Sequence, residues 1–282
     1  MPLARNIPTL RLVPPDRVLF HEHPEEARTK RLLERLRREQ RLRNPPIVAP
    51  LDATRFVLLD GANRVSAFRD LGYPQVPVQV VDYADPAIQL KGWHHLLMEG
   101  GGLDLLDAYA AIPGVRCERV EPAALGALLE HRQAYAALVD ATGTNWGLFP
   151  RDGTVVELHA WVAVLRAVVG AYEGRAKLER IKWADFADLP PAVERVAHQL
   201  CLFPFFTKPE LMRLVSEGVM IPTGITRHLV RGRALGLNLE LEFLSRLGTD
   251  AERDTHFRAF VDRLEVEGRI RLYEESVFIL DE

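Results

Sequence analysis

The sequence predicts an α+β protein in which a compact mixed unit precedes a longer, helix-rich region. Strand and helix patterns alternate in the first part of the chain, and helix patterns dominate from about residue 185. With 282 residues, 48% of them hydrophobic, the chain is long enough for one large core or two linked cores. We therefore expect one domain at residues 1–83 and a second α+β domain at residues 84–282, with the junction near Asp82–Pro86.

The first domain begins with an amphipathic helix, Glu25–Gln40, whose apolar stripe consists of leucines. Asn44-Pro45-Pro46 ends this helix because proline cannot continue it, and Ile47–Pro50 then has the pattern of a strand. A second buried strand begins at Phe56 and leads through an Asp-Gly turn into another helix. The alternating valines of Val76–Val80 predict a further strand.

The second region contains a longer series of predicted elements. Gly100–Gly102 is expected to interrupt the chain, and a weakly polar segment at Leu158–Gly170 predicts a buried helix. The other predicted helices are Leu103–Ala111, Pro122–His131, Pro191–Leu202, Pro209–Glu217, Gly232–Leu247 and Asp250–Gly268. The predicted strands are Trp93–Met98, Val115–Val120, Arg269–Tyr273 and Val277–Leu280.

Composition argues against several classes of protein. Lys and Arg total 36 against 39 Asp and Glu, a net charge of −3, so the chain as a whole lacks the basic character of a nucleic-acid-binding protein. Its two cysteines, Cys117 and Cys201, have no CxxC partner, which argues against a disulfide framework or a structural zinc site. Because no run of about 18 apolar residues is present, we expect a cytoplasmic protein without a membrane span.

The turn between the second strand and its helix has the pattern of a phosphate site. A strand that leads directly into a helix leaves the first helical N–H groups unpaired, and the helix dipole favours an anion there. Gly61 would let a ligand approach the backbone, Ala62 and Asn63 would open the helix, and Arg64 would add a cation suited to phosphate oxygens. The same pattern is also compatible with an ordinary strand-turn-helix, in which Asp60 caps the helix and Arg64 pairs with Asp70.

The order of these segments resembles a known family. The chain resembles the ParB/sulfiredoxin-like nucleotide-binding fold in the order of its segments. These are His21-Glu22, a helix, Leu42-Arg43-Asn44-Pro45-Pro46-Ile47-Val48, a strand, Leu59-Asp60-Gly61-Ala62-Asn63-Arg64 and a second helix. More narrowly, the chain looks like the free L-serine kinases of that superfamily. The resemblance implies transfer of a phosphoryl group from ATP or ADP, with Mg²⁺, to free L-serine, giving O-phospho-L-serine. It assigns Glu22 the role of general base, and we expect Asp60 to be the second catalytic residue, with Gly61, Ala62, Asn63 and Arg64 on the nucleotide phosphates.

A second motif of the same family lies far downstream. Gly218–Ile225 followed by Thr226-Arg227-His228 resembles the segment in which those kinases carry a Thr-Arg-His triplet. We expect the triplet at the start of a helix, where its side chains would hold the carboxylate of the amino acid or the phosphate of the product. The active site would then lie between the two domains. The chain departs from the family pattern at Asn63, where those kinases usually have His, and at Gly224-Ile225, where a more polar pair is usual.

Several alternatives remain open from the sequence. Asp60 could cap the helix, contact the serine amine or hold Mg²⁺ through water, and no residues form a predicted metal site. The protein could instead be a ParB-like ligand-responsive regulator, because the helix after Glu25 carries many arginines, or a nucleotide-binding protein without turnover. Glu34 and Glu39 interrupt that basic run, which favours a solvated helix face and makes nucleic acid an improbable partner.

Overall fold

The computed structural model of the protein describes residues 7–98, 105–140, 142–153, 157–182 and 197–273. These residues form two compact units. The first contains the described residues up to Phe20, residues 24–88 and the described residues from Val230 onward; the second contains residues 21–23 and the described residues from 89 to 229. The division differs from the single boundary expected at residue 83, because the chain returns to the first unit at Val230.

The first unit is built around a five-stranded sheet in the order β1-β6-β4-β5-β2. The pairs β2·β5 and β4·β6 are parallel, and the pairs β1·β6 and β4·β5 are antiparallel. Its elements up to residue 80 are β1 Thr9–Val13, β2 Val18–Leu19, α1 Glu26–Glu39, β3 Arg41–Leu42, β4 Ile47–Pro50, β5 Phe56–Asp60, α2 Ala62–Asp70 and β6 Val76–Val80. The helices α1 and α2 and the strands β4, β5 and β6 agree with the sequence prediction to within a few residues, whereas β1, β2 and β3 were not predicted.

The second unit is built around a six-stranded antiparallel sheet, β12-β8-β13-β10-β11-β9, beside which β14 pairs with β7. Its strands and helices are β7 Ile88–Gly92, β8 His94–Met98, α3 Leu105–Ala110, β9 Val115–Arg119, α4 Leu125–Glu130, β10 Ala136–Val139, β11 Asn145–Pro150, α5 Leu158–Gly170, β12 Lys177–Ile181, β13 Ala197–Leu202, α6 Lys208–Ser216 and β14 Thr226–Val230. The predicted buried helix at Leu158–Gly170 is confirmed, since Trp161, Val162 and Leu165 are buried.

The chain completes the first unit with β15 Leu239–Glu240, α7 Glu242–Arg246 and α8 Asp250–Val266. β15 pairs with β3, and α8 begins at a capping box in which Thr249 and Glu252 satisfy each other's backbone N–H groups. Phe243 and Phe257 are buried in the same apolar core as Phe68 of α2. Hydrophobic periodicity predicts that a helix buries one face, but it does not say which core receives that face, so the return was not foreseen.

Three predicted elements are wrong besides the helix expected at the Thr-Arg-His triplet, which is strand β14. Gly232–Leu247 is not one helix, because residues 232–238 are irregular and Gly232, Gly236 and Asn238 have φ angles of 70°, 68° and 47°, outside the helical region. Arg269–Tyr273 does not form a strand. The described part of the predicted helix Pro191–Leu202 is strand β13, a central strand whose apolar run is buried. The predictions at Gly100–Gly102, residues 191–196 and Val277–Leu280 lie outside the described residues.

Within the described residues, no helix is both long enough and apolar enough to span a bilayer.

Candidate active site

The turn between β5 and α2 leaves backbone donors exposed to a ligand. Gly61 has a φ of +101°, and its carbonyl accepts the N–H groups of Arg64 and Val65 at 2.9 and 3.1 Å. Ala62 and Asn63 are the first two residues of α2, and the N–H groups in the first turn of a helix have no partner within that helix. The N-cap residue is Gly61, which has no side chain to cap the helix, and Asp60 Oδ2 pairs with Arg64. The geometry is that of a helix N-terminus available to an anion.

Arg64 is held inside the turn by several contacts. Its Nη1 donates to the carbonyl oxygens of Asn44 and Pro45, both at 2.9 Å, and its Nη2 donates to Asp60 Oδ2 at 2.7 Å. Burial lowers the pKa of the guanidinium, and the Asp60 carboxylate opposes that shift. Three of its five N–H groups therefore fix the loop Asn44-Pro45 to the turn. Direct contact between Arg64 and a phosphate stays a prediction.

Gly61 lies directly beneath this guanidinium. A Cβ added to Gly61 would lie 3.0 Å from Arg64 Nε, Arg64 Nη2 and Pro46 Cβ. Together with the positive φ angle, this contact makes any larger residue costly at position 61. The glycine is therefore required for packing within the turn itself, before any ligand is considered.

Arg233 is a functional candidate that the sequence analysis missed. Its Nη2 donates to Asp60 Oδ2 at 2.5 Å, so that Asp60 bridges Arg64 and Arg233. Two guanidinium groups share one carboxylate, which leaves one net positive charge beside the start of α2. Its side chain is 40% exposed, so its other N–H groups can reach a ligand. No sequence pattern indicated this contact, because Arg233 lay inside a wrongly predicted helix.

A buried glutamine holds the backbone on both sides of Arg233. Gln79 is 3% exposed; its Nε2 donates to the carbonyl of Gly232 at 2.9 Å, and its Oε1 accepts the N–H of Ala234 at 2.8 Å. The side-chain amide pairs with the irregular segment much as a neighbouring strand would. The position of Arg233 is thereby set by the sheet, because Gln79 belongs to β6.

Asn63 connects the starts of two helices. Its Oδ1 accepts the N–H of Glu25 at 2.9 Å and the hydroxyl of Thr29 at 3.0 Å. The side-chain oxygen therefore satisfies a donor at the beginning of α1, a requirement that sequence spacing does not reveal. Its Nδ2 group is the part of the side chain left for a phosphate, and that role stays a prediction.

Glu22 is the centre of a hydrogen-bonded cluster in the second unit. Its Oε2 accepts the N–H of Gly224 at 2.8 Å, and its Oε1 accepts both the N–H of Thr226 at 2.9 Å and the Thr226 hydroxyl. The Ile221 N–H also donates to the His21 carbonyl at 2.7 Å. A carboxylate has about four lone-pair sites, and three are filled here. About one site therefore remains for a substrate hydroxyl.

The Thr-Arg-His triplet lies on strand β14, so the prediction of a helix there is wrong. Gly224 has a φ of +82°, which no α-helix contains, and β14 pairs with β7. Side chains alternate along a strand, which separates Arg227 from its neighbours. Thr226 Oγ1 lies 2.9 Å from His21 Nε2, and the His228 ring meets the His21 ring edge-on at 5.3 Å. Arg227 instead lies 4.5 Å above the ring of Trp93.

His94 and His95 are buried and do not form a metal site. Burial lowers the pKa of each imidazole to about 4, so both are neutral near pH 7. The Nδ1 atom of His94 accepts the N–H of Phe203 at 3.1 Å. In the part of the chain that the structure describes, no group of three His, Cys, Asp or Glu residues is arranged to bind a metal ion.

The basic face of α1 is partly neutralised. Arg28 pairs with Glu25, and both Arg38 and Arg43 pair with Glu39. Exposed pairs of this kind are worth little in stability, but they reduce the local positive charge. The interpretation as a solvated helix face is consistent with these contacts.

Sequence comparison relates the chain to serine kinases along nearly its whole length. No protein-family model matches the chain. The ATP-dependent L-serine kinase SbnI of Staphylococcus aureus is 24% identical over 275 residues, covering 97% of each chain. The ATP-dependent L-serine kinase of Desulfurococcus mucosus is 24% identical over 241 residues, covering 78% of this chain and 84% of that protein.

Structural comparison gives the same result. Truncated SbnI superposes with a TM-score of 0.73 and 20% identity, covering 90% of this chain and 96% of that one. A free serine kinase in complex with AMP superposes with a TM-score of 0.68 and 18% identity, covering 86% and 98%. The chain has the fold of the free serine kinases. The predicted α+β class and the predicted resemblance to the L-serine kinases are therefore confirmed.

Proposed function

We propose that this protein is a kinase that transfers the γ-phosphoryl group of ATP to the hydroxyl of free L-serine. The observation that carries the proposal is the Glu22 carboxylate, held by two backbone N–H groups and a hydroxyl with one acceptor site left. Related proteins along nearly the whole chain are ATP-dependent L-serine kinases, which supports this substrate pair. A carboxylate fixed in this way can accept the proton of an attacking alcohol.

The reaction needs few protein groups. The serine Oγ forms a bond to the γ-phosphorus, the bond from that phosphorus to the bridging oxygen breaks, and ADP leaves. The hydroxyl proton passes to Glu22. Phosphoryl transfer depends mainly on positioning and on neutralising charge, which in this proposal come from the N–H groups of Ala62 and Asn63 and from Arg233.

The residues of the site have different roles in this proposal. The nucleotide phosphates bind at the N–H groups of Ala62 and Asn63 and at Arg233, and Glu22 accepts the serine proton. His228 shares a strand face with Thr226 and is proposed to contact the amino-acid carboxylate. Thr226 uses its hydroxyl on Glu22, so its role is to orient that carboxylate rather than to bind serine alone. ATP and free serine are both cytoplasmic metabolites, and we place the reaction there.

In this proposal Mg²⁺ binds together with ATP rather than at a site of its own on the protein. Asp60, the carboxylate beside the phosphate turn, is occupied by Arg64 and Arg233, and the described residues contain no cluster of three potential ligands. The side chains therefore do not fit a resident Mg²⁺ site. Mg²⁺ commonly binds through substrate phosphates with one or two carboxylates, so we treat MgATP as the donor substrate.

The test is direct detection of both products. Purified protein would be incubated with MgATP and L-serine, and ³¹P NMR would follow O-phospho-L-serine and ADP in equal amounts. Parallel reactions with MgADP, with D-serine and without an acceptor would define the donor and the acceptor. Nucleotide binding without any phosphoserine would contradict the proposal and favour the alternative of a binding protein without turnover.

A further inference from the structure

A buried histidine contacts the loop that holds Glu22. His95 on β8 is 1% exposed, with Nε2 2.9 Å from the Gly224 carbonyl oxygen and Nδ1 2.7 Å from the Tyr172 hydroxyl. A carbonyl oxygen can only accept a hydrogen bond, so Nε2 carries the ring hydrogen and donates it. In the neutral ring Nδ1 is then an acceptor, and Tyr172 donates to it. The contacts on both sides therefore define a single tautomer.

Gly224 is held on both sides of its Cα atom. Its carbonyl accepts from His95, and its N–H donates to Glu22 Oε2 at 2.8 Å. Its φ of +82° favours glycine, and a Cβ at this position would lie 2.5 Å from Arg180 Nε. The N–H and the carbonyl lie in successive peptide planes that meet at the Gly224 Cα, so a displacement of that Cα would disturb both hydrogen bonds. The two hydrogen bonds are thus coupled through one residue.

We infer that His95 is a positioning residue for Glu22, acting through the Gly224 backbone. The inference rests on the proposed function, in which Glu22 accepts the serine proton. Tyr172 donates to His95, His95 donates to Gly224, and Gly224 donates to Glu22. No proton has to move along this chain of contacts. Its effect is to fix the direction of one carboxylate oxygen, and misplacement of a reacting group by about 1 Å can cost about 10²-fold in rate.

Two substitutions at position 95 each keep one hydrogen bond of the His95 ring, to Gly224 or to Tyr172, and remove the other. The terminal amide of His95→Gln can place an N–H near the original Nε2 and keep the bond to Gly224. The shorter amide of His95→Asn can place an oxygen near the original Nδ1, accepting from Tyr172 but not reaching Gly224. Both remove the imidazole and bury an amide, so each serves as the other's control for folding. Melting temperature and the Kd for ATP would be measured for both.

The expected result is a difference in kcat between two comparably folded variants. His95→Asn should lower kcat about 10- to 100-fold, with serine KM and the ATP Kd within about threefold of wild type. His95→Gln should keep kcat within about fivefold of wild type. Equal kcat losses in the two variants, or no loss in His95→Asn, would overturn the inference.

A second measurement keeps the inference separate from the proposed function. Hydrogen exchange of the Gly224 N–H reports whether its bond to Glu22 persists, and this does not require turnover. If the wild type makes no phosphoserine, the proposed function fails. The positioning contact is then supported when Gly224 loses protection at least tenfold in His95→Asn but not in His95→Gln. Equal protection in the two variants would overturn it.

Discussion

Glu22 and Thr226 lie 204 positions apart in the chain, and Thr226 donates both its backbone N–H and its hydroxyl to the same oxygen of Glu22. The His21 ring in turn contacts that hydroxyl at 2.9 Å. Because the hydroxyl hydrogen is directed to Glu22, His21 Nε2 is the donor to Thr226. His21, which precedes Glu22 in the chain, thus orients the hydroxyl of Thr226, the first residue of the Thr-Arg-His triplet.

Replacing Glu22 with Gln should abolish most of the proposed activity. Gln keeps the size of the side chain but cannot accept the serine proton, so we expect kcat to fall about 10²- to 10⁴-fold with the ATP Kd nearly unchanged. Initial rates of ADP formation with saturating serine would measure this effect. Glu26→Gln, an exposed change at the start of α1, is the matched control and should retain wild-type rates. A kcat within threefold of wild type would remove Glu22 from the mechanism.

Thr226 should affect kcat more than the serine KM. Thr226→Ala removes the hydroxyl that fixes Glu22 Oε1, and we expect kcat to fall about 10- to 100-fold. Thr226→Ser keeps that hydroxyl and should restore at least a third of the wild-type kcat. Steady-state kinetics with varied serine would separate the two constants. A change confined to KM would instead assign Thr226 to serine binding, as the family resemblance first implied.

Arg233 should contribute to nucleotide affinity without stabilising the fold strongly. Its side chain is 40% exposed and pairs with Asp60, the last residue of β5 before the turn into α2. Loss of a charge-assisted contact of this kind costs about 1.5–3 kcal/mol, so Arg233→Ala should weaken ATP binding by roughly 10- to 100-fold. Calorimetric titration with MgATP would measure it. Arg231→Ala removes an exposed arginine two positions away and should leave the Kd unchanged; equal affinities in both variants would contradict the role of Arg233.

Arg64, unlike Arg233, should contribute to the stability of the fold more than to nucleotide affinity. Its removal would leave two carbonyl oxygens and Asp60 without their donor, so we expect Arg64→Ala to reduce the free energy of unfolding by about 1–3 kcal/mol. Urea denaturation would measure the loss. Arg55→Ala breaks an exposed pair with Asp52 and should leave the free energy of unfolding almost unchanged. If Arg64→Ala kept wild-type stability and lost nucleotide affinity, the original assignment of Arg64 to the phosphates would be favoured.

The buried histidines should make the protein acid-sensitive. Burial lowers the pKa of His94 and His95 to about 4, below the value of about 6.5 that each has when unfolded. Between these values the unfolded chain binds more protons, so stability falls as pH decreases from about 6.5 to 4, by about 1 kcal/mol per pH unit for each histidine. Urea denaturation at several pH values would measure the slope. His94→Asn, which retains an acceptor for Phe203, should remove about half of this contribution, and an unchanged slope would contradict the assignment.

The sequence predicted local elements well because local rules produce them. The leucine stripe of α1, the Asp-Gly turn and the alternating valines of β6 each depend on residues within a few positions of one another, whereas α1 ends at a left-handed Gln40 rather than at the predicted Pro-Pro pair. The site was predicted less completely. Thr226 and His228 were identified, yet their strand depends on pairing with β7, and Arg233 depends on Gln79, 153 positions away. Such long-range contacts have no periodicity within the chain, so residue spacing alone could not indicate them.

The return of the chain to the first unit has a consequence for the order in which the protein can fold during synthesis. All described parts of the second unit have been translated by residue 229, whereas Leu239, Phe243 and Phe257 are still missing from the core of the first. Domains generally fold as units while the ribosome extends the chain. The second unit can therefore fold first, and the turn between β5 and α2 is fully supported only after α8 has emerged.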